Sequence, residues 1–503
     1  MSRDYTLPGV LRQAAQRWPD KTAVSDGETT ITFSALESRA REVAREFIGN
    51  GLLAGDRFAI WAPNSIEWQV TALGGQLAGC VLVPLNTRYK TAEAADILAR
   101  SGARVLFHAD RFLETDYAAM ANACDVEHRV TIGSPWPSPA VDDEALDDRV
   151  SSLSPDSLAD VLYTSGTTGA PKGVMCTHGQ NIRVFETWSD GVTLTASDRY
   201  LIVNPYFHSF GYKAGWLAAL IQGATVYPMP VFDLDAVLNL IQQEQISFLP
   251  GAPTIFQSIL ATENRSDYDL SSLRCAVTGA ASVPVQLVKD MKTVLGFEEV
   301  YTAYGLTEST GVVSLCLPDD DFETIATTSG KPMKGIEVQT TGPDGAPTPP
   351  GEPGEIWVRG FNVMKGYLDD PEASAATITP DGWLKTGDIG IFTESGHLKI
   401  TDRIKDMYIC GGFNCYPAEI ENVLLDHPAV LDVAVVGAPD ERMGEVGHAY
   451  VVSRDNQTLE ETGLISWARD HLANFKVPRR VSFVESLPRN ASGKVQKFLL
   501  KDD

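Results

Sequence analysis

Helical and strand-like patterns alternate over most of this chain, and this alternation restricts the fold more than any other feature. Apolar runs at 58–61 and 81–84 have the length of buried strands, and a helical pattern lies between them. Ser34 and Glu37 have the spacing of a capping box, which predicts a helix with Ser34 as its N-cap. Parallel strands need a crossover segment, usually a helix that covers the sheet. The sequence therefore predicts an α/β fold with a large N-terminal domain of parallel α/β sheets.

The character of the sequence changes twice towards the C-terminus. Residues 340–355 are rich in glycine and proline, which is typical of a small β subdomain. After residues 401–405 the chain has a separate pattern of helices at 417–425 and 464–472 and strands at 430–436 and 480–484. We therefore predict an N-terminal domain over 1–401, and a small, mobile α+β C-terminal domain over 402–503.

Charge and cysteine content exclude several classes of partner. The chain has 66 acidic and 41 basic residues, a formal net charge of −25. It should repel nucleic acid and anionic membranes, so a bound polyanion needs a local site that overcomes this field. The seven cysteines form no C-x-x-C pair, which favours reduced structural thiols. With no secretory signal and no membrane span visible, we expect a cytoplasmic protein.

Residues 161–173, VLYTSGTTGAPKG, are the strongest functional signal. A strand-like run opens into a loop of glycine, serine and threonine that ends at Lys172. Glycines let a backbone approach a ligand, and successive N–H groups can bind an anion. The pattern predicts a polyphosphate site, although Gly173 after the lysine and the glycine spacing exclude a Walker loop. The candidate ligand residues are Thr164, Ser165, Gly166, Thr167, Thr168, Gly169 and Lys172.

Six further motifs follow this loop along the chain. They are FHSFG at 207–211, TGAA at 278–281, YGLTE at 304–308, GWLKTGD at 382–388, DRIKD at 402–406 and PRNASGK at 488–494. In content and order the seven motifs resemble those of the adenylate-forming superfamily, which includes acyl-CoA synthetases, luciferases and peptide-synthetase adenylation domains. Taken alone, residues such as Glu308 and Lys494 would be ordinary surface charges. The order of the seven motifs favours an active-site role for these residues instead.

The resemblance implies a role for each polar motif residue in binding ATP. Tyr304 would stack on adenine, Thr307 would hold the α-phosphate and Glu308 would bind Mg²⁺. Asp388 would accept hydrogen bonds from both ribose hydroxyls, and Arg403 would contact ribose and phosphate. The chemistry of the side chains suits these roles. Tyrosine has an aromatic face, threonine a hydroxyl donor, glutamate a hard oxygen ligand and aspartate a charged acceptor.

For the C-terminal domain, the resemblance implies a movement between two half-reactions. Lys494 would be the catalytic lysine of the first half-reaction, and Lys405 would be the hinge. Gly411 and Gly412 would border the tunnel for the pantetheine of coenzyme A.

The acyl pocket is the part for which the resemblance is least specific. His208 would gate it, and the absence of an aspartate at this position argues against an amino-acid substrate. The predicted walls are His208, Tyr212, Lys213, Gly279, Ala280, Ala281, Ser309 and Gly311. Tyr212 and Lys213 are candidate donors to a polar acyl group, with packing and surface roles as the alternatives.

The implied reaction joins a small-molecule carboxylic acid to coenzyme A at the expense of ATP, through an acyl-adenylate. Segments outside the motifs, including 86–89 and 211–215, are most similar to the acyl-CoA synthetases that act on a bicyclic propanoic acid from steroid breakdown. A medium-chain or aryl acid is the alternative substrate. Two other classes stay open: a ligase that delivers its adenylate to a carrier protein, and a non-catalytic nucleotide-binding protein. A homodimer also stays open.

Overall fold

The structure is a computed structural model that describes residues 5–164, 171–279, 283–403, 406–410, 413–454, 459–472, 474–489 and 494–500. At Arg403, Phe413 and Asn414 only the backbone is described.

The described strands are, in chain order, β1 Thr22–Ser25, β2 Thr30–Thr32, β3 Arg57–Trp61, β4 Val81–Pro84, β5 Ala103–His108, β6 Arg111–Phe112, β7 Thr115–Asp116, β8 His128–Thr131, β9 Leu158–Thr164, β10 Lys172–Thr177, β11 Arg199–Ile202, β12 Thr225–Pro228, β13 Phe248–Gly251, β14 Cys275–Thr278, β15 Glu299–Tyr304, β16 Ser314–Leu315, β17 Lys331–Pro332, β18 Ile336–Thr341, β19 Gly354–Gly360, β20 Gly366–Tyr367, β21 Leu384–Phe392, β22 Leu398–Arg403, β23 Tyr408–Cys410, β24 Phe413–Cys415, β25 Val430–Asp440, β26 Gly444–Ser453 and β27 Arg480–Phe483.

The described α-helices are α1 Leu7–Arg17, α2 Phe33–Gly49, α3 Ile66–Leu77, α4 Thr91–Ser101, α5 Tyr117–Asn122, α6 Asp143–Ser151, α7 His178–Gly191, α8 Ser209–Gly211, α9 Ala218–Gln222, α10 Leu234–Glu244, α11 Pro253–Ala261, α12 Val285–Thr293, α13 Phe322–Thr327, α14 Pro371–Thr377, α15 Pro417–Leu425 and α16 Glu461–His471. A π-helix spans Tyr212–Leu217, and 3₁₀ turns span Glu263–Asp267, Thr307–Ser309 and Lys497–Leu500.

The chain divides into two compact units. The first contains the residues up to 279, 283–337 and 358–384. It contains two large sheets with strand orders β17-β16-β15-β14-β13-β11-β12-β1-β2 and β20-β10-β9-β4-β3-β5-β8. Pairing is parallel through the middle of both sheets and antiparallel towards the ends that contain β17, β2 and β20. The predicted α/β class is confirmed.

The two apolar runs on which that prediction rested are fully buried. Residues 58–61 of β3 have no exposed surface, and β4 is buried at every position. Their parallel pairing is Phe58 opposite Leu82 and Ile60 opposite Pro84. Strands buried on both faces need apolar side chains at successive positions rather than alternation.

The predicted capping box at the start of α2 is wrong. Thr32, not Ser34, is the N-cap, and its hydroxyl accepts a hydrogen bond from the Ala35 N–H at 3.2 Å. Ser34 lies inside the first turn, and its hydroxyl donates to the Pro19 carbonyl at 2.8 Å. The tertiary contact with residue 19 therefore decides which of two neighbouring hydroxyl residues caps the helix.

The second unit contains 338–357 and the residues from 385 onward. A four-stranded sheet, β18-β19-β21-β22, has strands on both sides of the glycine- and proline-rich segment. The C-terminal sheet has the order β24-β23-β26-β25, with β27 paired to β26. Helices α15 and α16 pack on it over a core that includes Ile420, Leu464 and Val481. The predicted helices and strands are present here, whereas β23, β24 and β26 were not predicted.

All seven cysteines are buried and none is in a disulfide, as expected for structural thiols. Burial raises the pKa of Cys80 to about 12, so this thiol stays protonated at neutral pH. Across the described segments, no helix has the length and the apolar composition needed to cross a membrane.

Candidate active site

The predicted phosphate loop connects two antiparallel strands of the first unit. Lys172 is the first residue of β10 and pairs with Thr164, the last residue of β9. The two ends of the loop are therefore neighbours, and both side chains are partly exposed. The candidates Ser165, Gly166, Thr167, Thr168 and Gly169 lie outside the described residues.

The YGLTE motif begins at the carboxyl end of β15, where open α/β sheets bind ligands. Tyr304 ends the strand, and Thr307 and Glu308 form a 3₁₀ turn. Gly305 is required here because a Cβ at this position would lie 2.1 Å from the Gly311 carbonyl oxygen. This close approach folds the segment back on itself and places the predicted adenine, phosphate and metal residues on one short turn.

Tyr367 connects the two motifs, and sequence reasoning missed it. It lies on β20, which pairs with β10. Its hydroxyl donates to Glu308 Oε1 at 3.0 Å, and its ring centroid lies 5.0 Å from Lys172 Nζ. Burial, together with the Glu308 carboxylate, raises the pKa of Tyr367, so its hydroxyl remains a donor. The contact joins residues 59 positions apart, and no local pattern in the sequence indicates it.

His208 has a neutral imidazole and lies at the start of residues 208–213, a predicted wall of the acyl pocket. It is the N-cap of α8, and its Nδ1 accepts a hydrogen bond from the Phe210 N–H at 3.2 Å. Burial lowers the pKa of His208 to about 4. The predicted role of His208 as a gate stays a prediction.

Tyr212 and Lys213, the predicted substrate donors, are fully buried and already have protein partners. Lys213 Nζ lies 2.9 Å from Asp160 Oδ1, an ion pair in which neither side chain has exposed surface. The Tyr212 hydroxyl lies 3.3 Å from Asp160 Oδ2 and accepts from Gln76 Nε2 at 2.9 Å. Burial alone would lower the Lys213 pKa, but the Asp160 carboxylate outweighs it and the pKa is raised. Their role as donors to an acyl group stays a prediction.

The structure brings other predicted pocket residues to neighbouring positions. Gly311 has φ +109°, and a Cβ there would lie 3.5 Å from the Ser209 Cβ, so Gly311 adjoins the His208 segment. Ser309 is completely buried, and its hydroxyl donates to the Leu306 carbonyl at 2.9 Å. Gly279 directly follows β14. Ala280 and Ala281 lie outside the described residues.

In the second unit, the two predicted ribose residues occupy opposite positions on paired strands. Asp388 on β21 pairs with Arg403 on β22. Asp388 is 4% exposed, and its backbone N–H donates to Thr386 Oγ1 at 3.1 Å. Antiparallel pairing therefore brings the backbones of residues from two separate motifs to one point of the sheet.

The remaining predicted residues belong to the second unit as well. Lys494 is exposed. The hinge residue Lys405 and the tunnel residues Gly411 and Gly412 lie outside the described residues, so their roles stay predictions.

Two family matches together span most of the chain. Residues 11–368 match the family described as AMP-binding enzyme. Residues 419–494 match the AMP-binding enzyme C-terminal domain. The predicted domain boundary at 401/402 falls between these matches and stays a prediction.

Individual relatives match over nearly the full length. The chain is 48% identical to the 3-[(3aS,4S,7aS)-7a-methyl-1,5-dioxo-octahydro-1H-inden-4-yl]propanoyl:CoA ligase of Rhodococcus jostii (strain RHA1), covering 99% of this chain and 98% of the relative. It is 47% identical to the ligase of the same name from Mycobacterium tuberculosis, with the same coverage. Among solved structures, o-succinylbenzoate CoA synthetase from Bacillus subtilis, in complex with its acyl-adenylate intermediate, is 31% identical, with a TM-score of 0.84 and 98% coverage of both chains.

Proposed function

Because the chain belongs to the AMP-binding enzyme family, we propose that it is an ATP-dependent acyl-CoA synthetase, an acid–thiol ligase. It converts a carboxylic acid, ATP and coenzyme A into acyl-CoA, AMP and diphosphate. The observation that supports this most is the match, over 98–99% of both chains, to two CoA ligases at 47% and 48% identity.

The proposed reaction has two steps because a carboxylate cannot be attacked directly by a thiol. Its oxygen is a poor leaving group, and its charge repels nucleophiles. In the first step the carboxylate attacks the α-phosphorus of ATP, and diphosphate leaves. In the second step the coenzyme A thiol attacks the acyl carbonyl, and AMP leaves.

The first unit supplies the groups that would bind the phosphates. Lys172 and the loop that precedes it would hold the β- and γ-phosphates, while Thr307 would hold the α-phosphate. Tyr304 offers its ring to adenine. Charge stabilisation by fixed cations and N–H donors usually dominates phosphoryl and nucleotidyl transfer.

Glu308 fits the part of a magnesium ligand. Mg²⁺ usually takes one or two protein carboxylates and completes its coordination with phosphate oxygens and water. Tyr367 holds the Glu308 carboxylate through Oε1 at 3.0 Å. When bound, the cation would neutralise phosphate charge.

The second unit would act on the ribose and on the reacting carboxylate. Asp388 and Arg403, which pair across β21 and β22, would bind ribose and phosphate. Lys494 would contact the carboxylate and α-phosphate during adenylation only. A rotation at Lys405 would then exchange Lys494 for Gly411 and Gly412, which would border the pantetheine tunnel.

For the acid we propose a bicyclic propanoate, as the names of the two ligases indicate. The resemblance of the segments outside the motifs implies that this acid derives from steroid breakdown. The pocket would be lined by the His208 segment, Gly279–Ala281, Ser309 and Gly311. Tyr212 and Lys213 are the candidate donors to the ketone oxygens of this acid. A site with a buried donor rejects an acid that lacks the acceptor far more strongly than an apolar slot rejects a missing methylene. The enzyme would work in the cytoplasm on small molecules, alone or as a homodimer.

A panel of acids tests these statements together. Diphosphate release is measured with and without coenzyme A for hydrindanedione propanoate, octanoate and an aryl acid. Glu308→Gln, which keeps the side-chain volume but removes the carboxylate, is the inactive control. We expect kcat/KM for the bicyclic acid to exceed that for octanoate by about 10² or more.

Each alternative gives a different result. Comparable values for the acids would overturn the substrate assignment but not the ligase. Full turnover onto a carrier protein without coenzyme A would indicate an acyl-AMP ligase. If no acid in the panel gives diphosphate release, the result would indicate a non-catalytic nucleotide-binding protein.

A further inference from the structure

The segment that contains Lys494 begins and ends at one point of the second unit. Arg489 and Val495 form an antiparallel bridge. The Gln496 N–H donates to the Pro488 carbonyl oxygen at 2.8 Å. The residues that flank 490–494 are therefore held next to each other. Contacts that fix these flanking residues also limit the positions that Lys494 can take.

An ion pair lies at each end of the segment. On the N-terminal side, Arg489 Nη2 lies 2.5 Å from Asp432 Oδ2 on β25, with both side chains 31% exposed. On the C-terminal side, Lys497 Nζ lies 2.7 Å from Glu421 Oε1 on α15. The two ends are thus tied to different elements of the domain.

The Lys497 pair is the more buried of the two. The side chains of Lys497 and Glu421 are 16% and 13% exposed. Glu421 Oε1 also accepts from the Val435 N–H at 2.7 Å. One carboxylate oxygen therefore joins α15, β25 and the C-terminal 3₁₀ turn, and a geometry with several partners is more rigid than an exposed pair.

Lys497 also interacts electrostatically with the hinge motif. Asp402 and Asp406, which flank the predicted hinge, act electrostatically on its ammonium group in addition to Glu421. Asp402 in turn accepts from the Ala418 N–H of α15 at 2.9 Å. Burial alone would lower the Lys497 pKa, but these three carboxylates raise it, so the lysine is charged. Its charge therefore interacts with acidic groups of α15 and of both sides of the predicted hinge.

We propose that Lys497 is a positioning residue for adenylation: together with Arg489 it fixes the ends of the segment that presents Lys494. This inference rests on the proposed function, in which Lys494 acts in the first half-reaction. If Lys497 has this role, its substitution should impair adenylation and spare thioester formation. Misplacing a reacting group by about 1 Å can cost about 10²-fold in rate, but only in the half-reaction that uses it.

The experiment measures both half-reactions in Lys497→Met. Adenylation is followed as diphosphate release without coenzyme A, and thioester formation is followed from supplied acyl-AMP. We expect adenylation to fall by about 10–10²-fold while thioester formation stays close to that of the wild type. In a Lys494→Ala background the same substitution should have no further effect on adenylation, because the group that it positions is missing.

Further variants distinguish positioning from folding. Lys497→Met/Glu421→Gln removes the uncompensated carboxylate and should be better folded while keeping the selective defect. Lys497→Arg should restore adenylation. Arg489→Gln, in a more exposed pair, should show the same selectivity. As a matched control, Lys476→Met breaks another lysine–glutamate pair on α15, at 2.5 Å to Glu419, and should leave adenylation unchanged.

The result can separate this inference from the function on which it rests. Wild-type protein that releases no diphosphate with any acid would overturn the proposed function. Active wild-type protein in which Lys497→Met weakens both half-reactions equally, or neither, would overturn only the positioning role.

Discussion

Replacing Lys213 by methionine tests whether this lysine supports the fold or serves the acyl pocket. The side chain of methionine has nearly the same length and no charge, so the change removes one partner of the Asp160 ion pair without a large cavity. Asp160 keeps two contacts, with Asn181 Nδ2 at 2.5 Å and the Tyr212 hydroxyl at 3.3 Å. Neither contact carries a compensating charge.

The magnitude follows from the complete burial of both groups. Removing one partner of a buried ion pair costs about 3–5 kcal/mol, since the other charge is left uncompensated. The two remaining contacts of Asp160 favour the lower end, about 3 kcal/mol. The shift in melting temperature is the free-energy loss divided by the entropy of unfolding, which is about 2.1 cal/mol/K per residue. For a first unit of about 360 residues the expected loss is therefore about 4 °C.

Thermal melting of three variants measures this effect. The double variant Asp160→Asn/Lys213→Met contains no buried charge and should melt above Lys213→Met alone. A surface ion pair gives a matched control: Arg359→Met, which loses a contact of 2.7 Å with the exposed Glu337, should shift melting little. Kinetics with the acid panel are measured below the melting range.

Two results would refute the reasoning. A double variant that is no more stable than Lys213→Met would show that the uncompensated carboxylate is not the cause. Wild-type melting in Lys213→Met together with a raised KM for the acid would show that the lysine serves the acyl pocket instead.

Four other predictions concern the reaction and the acid stability. Lys494→Ala should lower adenylation by about 10²–10³-fold and largely spare thioester formation from supplied acyl-AMP; equal losses would contradict the two-conformation account. Lys405→Pro should do the converse, because proline fixes φ; normal overall turnover would place the hinge elsewhere. Tyr367→Phe should lower diphosphate release and raise the Mg²⁺ requirement, since a hydrogen bond to a charged group contributes about 1.5–3 kcal/mol; an unchanged Mg²⁺ titration would contradict its role at Glu308. Burial lowers the pKa of His178 to about 4, and the unfolded chain, with a pKa of about 6.5, binds more protons between these values. Stability should therefore fall as the pH drops from about 6.5 to 4, by up to about 3 kcal/mol, and melting of His178→Asn should depend less on pH in that range.

Much of this protein is encoded in short stretches of its sequence. The apolar run 58–61 predicts β3 because a strand buried on both faces needs apolar side chains at successive positions. The helix predicted at 417–425 coincides with α15, and proline at its first position suits a helix start. The motifs from 161 to 494 identify the family because phosphate, ribose and carboxylate chemistry each needs particular residue types within a few positions of one another.

Tertiary structure decided the contacts between groups that are distant in sequence. Glu308 and Tyr367 are 59 positions apart, and the strand pairing of β20 with β10 brings Tyr367 to the site. The sequence named Lys213 as a candidate donor to substrate, with packing or surface roles as the alternatives, and gave no indication of its buried ion pair with Asp160 of β9. Tertiary packing likewise brings Lys497 to Glu421. It also decides that Thr32 rather than Ser34 caps α2. A side chain's type and local pattern limit what it can bind, but the partner that it meets depends on how the strands and helices pack, which no short stretch of sequence specifies.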